Sequence, residues 1–113
     1  MNIQSIDLGK KEKTFTNYLI QHISDIHKKT PEQIIELIKD AKNHVSISDQ
    51  YLEKVIERAE ELKQNKKMLL KYVADIILKG SDLGVIKTNL ILMEKLSSIY
   101  GSKDELLIRA SLL

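Results

Sequence analysis

The chain has no cysteine, no tryptophan, a single proline and four glycines, and its only aromatic rings are Phe15, Tyr18, Tyr51, Tyr72 and Tyr100. Without cysteine there is no disulfide, no thiolate metal site and no cysteine nucleophile, and nothing calls for an oxidising compartment. So few rings leave little for a base-stacking platform of the kind that holds single-stranded nucleic acid. Long apolar runs are missing as well. Lys71, Asp75, Lys79 and Lys87 interrupt the most hydrophobic stretch, well short of the roughly 20 residues a membrane span requires. Residues 1–14 contain no apolar signal-peptide segment, so a cytoplasmic protein is expected. Nor is there an excess of one charge: 18 basic and 16 acidic residues leave a net +2. Proteins that bind mainly the phosphate backbone carry a clearer basic surplus, so nucleic acid is a less favoured partner than protein.

What is present suits a globular domain. Of the 113 residues, 42% are apolar and 30% charged, enough to build one core. Residues 1–13, with Gly9 followed by Lys10, Lys11 and Lys13, are expected to form a flexible arm, and residues 14–113 a single helical domain.

From Thr14 onward, Phe15, Tyr18, Leu19, Ile23 and Ile26 recur at helical spacing, with Lys28 and Lys29 at the negative end of the dipole. Thr30-Pro31-Glu32-Gln33 combines an N-cap threonine, a proline at the first helical position and a glutamine placed to reach back. The second helix then buries Ile34, Leu37, Ile38, Ala41 and Val45, and Ser46-Ile47-Ser48-Asp49 forms the next break. A third helix faces Leu52, Val55, Ile56, Ala59 and Leu62 inward and turns Glu53, Lys54, Glu57, Arg58, Glu60 and Glu61 to water. Between Met68 and Leu78 only Lys71 and Asp75 are polar, the pattern of a buried central helix that Gly80 should end. A fifth helix is expected from about Asp82 or Gly84 to Tyr100, largely covered. Ser102 and Glu105 are spaced as the capping box of a last apolar segment. The fold class is therefore all-α: a compact antiparallel bundle of five to six helices.

No residue pattern points to catalysis, a cofactor or a metal. His22 and His27 are five apart and point to different faces of a helix, and His44 is distant; the best local pairs are His22 with Asp25 and Asp40 with His44. No serine sits on a nucleophile elbow, and Gly9, Gly80, Gly84 and Gly101 form no phosphate loop. Helices two and three could be read as helix-turn-helix, but Asp49, Glu53 and Glu57 would meet phosphates. A non-specific basic patch would need Lys10, Lys11, Lys13, Lys28, Lys29, Lys66, Lys67 and Lys71 on one face.

Two family likenesses follow. Leu78-Lys79-Gly80-Ser81 with Leu83-Gly84 resembles the motif of histidine phosphotransfer domains, but the phosphate-accepting histidine would fall at Ile76, so the chain cannot carry a phosphoryl group. The apolar pattern of Tyr51 to Leu78, with Leu52, Val55, Ala59, Leu62, Leu70, Val73 and Ile77, is similar to the middle of the bacteriocin immunity proteins of Gram-positive bacteria. That likeness, of size and helix order, implies a small cytosolic antiparallel bundle that protects its producer by acting on a receptor complex.

By elimination the expected function is non-catalytic: a small protein-binding or regulatory protein, bacterial or carried by a phage or plasmid, with an immunity-like or a nucleic-acid-associated role as alternatives. The last half holds more apolar residues than a small bundle readily buries, which points to a homodimer seam or a protein partner. Leu106, Leu107, Ile108, Leu112 and Leu113 are the expected contact residues.

Overall fold

A computed structural model describes residues 3–113, with side chains from Lys13 onward. Among the described residues there are seven α-helices and no strand: α1 (Ile3–His22), α2 (Pro31–Asp40), α3 (Asp49–Glu61), α4 (Lys66–Gly80), α5 (Leu83–Thr88), α6 (Leu90–Tyr100) and α7 (Lys103–Leu112). The all-α class holds, with one more helix than the upper expectation. No helix is long and apolar enough to cross a membrane. The radius of gyration, 13.8 Å, is close to the ~13 Å of a compact chain of this length.

The local signals act as expected where they are strong. Thr30 Oγ1 accepts from the Gln33 N–H at 3.2 Å, and the Gln33 side chain accepts from the Thr30 N–H at 2.9 Å, so both halves of the capping box close. Ser48, Asn65, Asp82, Asn89 and Ser102 cap the five helices that follow, each through its side-chain oxygen. At Ser102 only the serine half of the box forms, the Glu105 N–H donating to it at 3.1 Å.

Three elements differ from the expected ones. α1 begins at Ile3, before the apolar spacing starts at Thr14, and stops at His22 short of Ile26. A 3₁₀ turn, Ile26–Lys28, follows and drives Ile26 fully into the core; tertiary packing there overrides the helical period. α2 likewise ends at Asp40 and passes into a 3₁₀ turn, Ala41–Asn43. The expected fifth helix is two helices. Asn89 adopts an extended backbone (φ −97°, ψ 95°), and its side chain accepts from the Leu92 N–H, ending α5 and capping α6 in one residue. That break changes the helical phase, so Ile86, Leu92, Leu96 and Tyr100 are buried while Val85, Leu90 and Ile91 face outward. The expectation that this stretch is largely covered is therefore wrong over Leu83–Ile91.

α4 is the central element, packing against α1, α6 and α7. It buries Leu69, Val73, Ala74, Ile77 and Leu78 against Phe15 and Leu19 of α1, Leu92 and Leu96 of α6, and Leu106 of α7. α2 and α3 pair beside it, with the Tyr18 hydroxyl donating to the Leu37 carbonyl at 2.8 Å to tie α1 to α2. Gly80 is the last residue of α4 and not the left-handed residue after it. Its role is close approach: a Cβ there would lie 2.1 Å from Thr16 Oγ1. Gly101, at φ +110°, is the glycine that turns the chain, from α6 into α7.

Candidate interaction surface

Large hydrophobic side chains left exposed gather in the last three helices. Among the described residues they are Leu83 and Val85 on α5, Leu90 and Ile91 on α6, and Leu107, Ile108, Leu112 and Leu113 at the C-terminal end; Met68 on α4 is the one found elsewhere. α6 and α7 form an αα-hairpin through Gly101-Ser102, which brings the start of α6 and the end of α7 to the same end of the bundle. Leu83 and Leu113 line one recess there with Leu78, Lys79, Ser81, Ile86 and Ala110, about 160 Å³ in volume. The Ser81 hydroxyl is buried at this place without a hydrogen-bond partner.

The expected contact segment is thus divided. Leu106 is 2% exposed and belongs to the core, while Leu107, Ile108, Leu112 and Leu113 stay open to solvent. A helix that packs one face and shows the other would read the same in sequence.

Beside α7 runs a larger groove of about 370 Å³, walled by Arg58 and Leu62 from α3, Met68, Lys71 and Tyr72 from α4, and Ile108 and Leu112 from α7. Its floor is a polar network. Arg109 grips Asp75 with both guanidinium edges, Nε to Oδ1 at 2.9 Å and Nη2 to Oδ2 at 2.6 Å, and the Tyr100 hydroxyl donates to Oδ1 at 2.7 Å. The bidentate pair answers the requirement that a lone acid in an apolar helix be satisfied. Burial, then the Asp75 carboxylate it donates to, pushes the Tyr100 hydroxyl far above the ordinary tyrosine range. The same hydrogen bonds raise Arg109. Burial also raises Tyr72, an effect that the nearby Arg58 opposes and Glu61 reinforces. Sequence reading missed this network, yet it carried a signal: Asp75 and Arg109 each stand alone as the charge within an apolar stretch.

The histidines separate. His44 Nε2 meets Asp40 Oδ2 at 2.8 Å, the expected local pair. The Asn43 amide, and after it the His44 contact, lowers the exposed Asp40 carboxyl. His22 meets Tyr18 edge-on with ring centres 4.9 Å apart, and His44 stacks on Tyr18 at 5.7 Å, so folding brings two histidines far apart in sequence to one tyrosine. His27 lies elsewhere, with Glu94 and Ser98. Among the described residues no three His, Asp or Glu side chains are grouped so as to hold a metal.

The Lys10 and Lys11 side chains lie outside the described residues. Lys66 Nζ donates to the His27 carbonyl at 2.7 Å, beside the turn that bears Lys28. Lys29 lines a shallow groove with Glu32, Glu36 and Asp40, and Lys71 the α4–α7 groove. Lys13 and Lys67 are exposed.

The fold and surface define an all-α bundle whose exposed large apolar side chains lie mostly on its last three helices. No family model, no curated protein and no solved structure matches the chain.

Proposed function

We propose that this chain is a small non-catalytic, protein-binding or regulatory bundle of bacterial, phage or plasmid origin that works in the cytoplasm through the surface of α5–α7. The observation that carries the reading is the confinement of exposed large apolar side chains to that surface, eight of the nine among the described residues. Exposed apolar side chains concentrated in one part of a domain in this way mark where another surface docks. The outer face of α3 suits solvent: the helix carries seven charged residues in thirteen, laced by Arg58–Glu61 at 2.7 Å and bridged to α2 by Lys39–Glu60 at 3.8 Å.

Affinity capture with the wild-type chain and an Ile91→Glu variant tests the reading. Ile91 is 63% exposed, so the charge should leave the fold intact by circular dichroism while removing any protein retained through α5–α7. Equal retention by both would remove the basis of the proposal.

A further inference from the structure

The groove walled by α3, α4 and α7 differs in chemistry from the exposed apolar surface of α5 and α6, because charged and apolar groups meet in it. We infer that it binds a small amphipathic carboxylate: a molecule with a compact apolar body and one carboxyl group. Its volume, about 370 Å³, falls within the ~300–1,000 Å³ of small-molecule sites. It is also more than twice the ~150 Å³ of an apolar cavity that accepts benzene.

The apolar half of the site is assembled from three helices. Of the large hydrophobic side chains exposed among the described residues, Met68 from α4 and Ile108 and Leu112 from α7 line this groove. Met68 is the one such residue outside the last three helices, so α4 shows water a large apolar side chain only where it lines the groove. Leu62 of α3 and the Tyr72 ring, both partly buried against the core, continue the wall. Folding thus brings distant residues into one concavity, which a single outward helix face does not provide, and the unbranched methionine thioether adapts to the outline of an occupant.

The polar half decides the sign of the ligand. Arg58, Lys71 and Arg109 line the groove with Asp75 and Glu105, three cations against two acids. Asp75 is already satisfied by Arg109 and the Tyr100 hydroxyl, so that pair holds the floor and leaves nothing for a ligand. Arg58 bonds Glu61 at 2.7 Å with both side chains about half exposed, a pairing worth little in water. Lys71 and the Tyr72 hydroxyl, both on partly buried residues, make no hydrogen bond or ion pair among the described residues. The Arg58 charge also acts on the Tyr72 hydroxyl, so donors from α3 and α4 converge. Glu105, the remaining acid, is exposed in the first turn of α7. An ammonium and a phenol without partners beside an apolar wall complement a carboxylate carried on an apolar body.

Proton–nitrogen NMR titration of the full chain with 4-phenylbutanoate, beside its amide and 4-phenylbutylamine, is the test. The acid should saturate with a Kd of about 1 mM or tighter, shifting the amides of Tyr72, Ile108 and Leu112. The amide and the amine should bind more weakly, by about fivefold or more. Lys71→Met keeps most of the apolar stem and removes the ammonium; it should weaken the acid about tenfold and leave the amide unchanged. Met68→Gln, at a position 49% exposed, should weaken acid and amide alike. Circular dichroism checks that each variant folds, and Lys71→Gln replaces Lys71→Met if the latter does not. Ile91→Glu should bind the acid as the wild type does, so this inference and the docking surface fail separately. No saturable shift, an amine bound as tightly as the acid, shifts confined to α5, or acid binding indifferent to the loss of Lys71 would each overturn the inference.

Discussion

Replacing Gly80 by alanine sets two effects against each other, and their sizes decide the sign. Alanine gains up to about 1 kcal/mol over glycine inside a helix, and less here because Gly80 is the last residue of α4. Against that gain, the new Cβ would stand 2.1 Å from Thr16 Oγ1, 3.0 Å from its Cβ and 3.1 Å from its Cγ2. Threonine is branched at Cβ, so turning its side chain leaves a heavy atom close by. Thr16 is 2% exposed and has no outward escape. Carbon atoms rest at about 3.5–4.0 Å, so α1 and α4 must part by something on the order of 1 Å. Phe15, Leu19, Val73 and Ile77 around that seam are all completely buried, and overpacking such a core costs about 1–3 kcal/mol. The expected net loss is about 2 kcal/mol, or ~8 °C in Tm for a chain of this size. Urea unfolding followed by circular dichroism measures it. Thr16→Ala removes Oγ1 and Cγ2, so the double variant should recover about 1 kcal/mol or more relative to the sum of the single changes. A Gly80→Ala protein as stable as the wild type, or single costs that simply add, would refute the close-approach argument.

Leu106→Ala should cost about 2–5 kcal/mol, whereas Leu107→Ala, on the outward face of the same helix, should cost no more than about 0.5 kcal/mol; thermal melts of the pair check the division of α7. Arg109→Met removes a bidentate partner from a carboxylate that is 21% exposed. It is expected to destabilise by about 1–3 kcal/mol and to speed hydrogen exchange first in α7; unchanged exchange there would show that the pair does not hold the helix. Burial raises the pKa of Tyr100, and also those of Tyr18 and Tyr72. The unfolded chain therefore gives up tyrosine protons before the folded chain does. Stability from these groups is complete below about pH 10 and falls above it, by up to ~1.4 kcal/mol per pH unit for each. Tyr100→Phe should flatten that decline, and parallel curves for variant and wild type would contradict the assignment.

The helical character of this protein was legible residue by residue because its determinants are local. The Thr30-Pro31-Gln33 capping box, the amphipathic period of α3 and the nearly unbroken apolar run of α4 act over a few residues, and each produced the element that its pattern implies. The apolar surplus of the last half was legible too, as an excess of residues. Tertiary structure decided its direction. One extended residue, Asn89, shifted the helical phase and turned Leu90 and Ile91 outward, while Leu106 went into the core and its neighbours Leu107 and Ile108 did not. Gly80 facing Thr16, Arg109 clasping Asp75 and the two histidines on Tyr18 join residues far apart along the chain. Periodicity shows how side chains are distributed around a helix axis; which side is buried depends on the neighbours that folding brings to it.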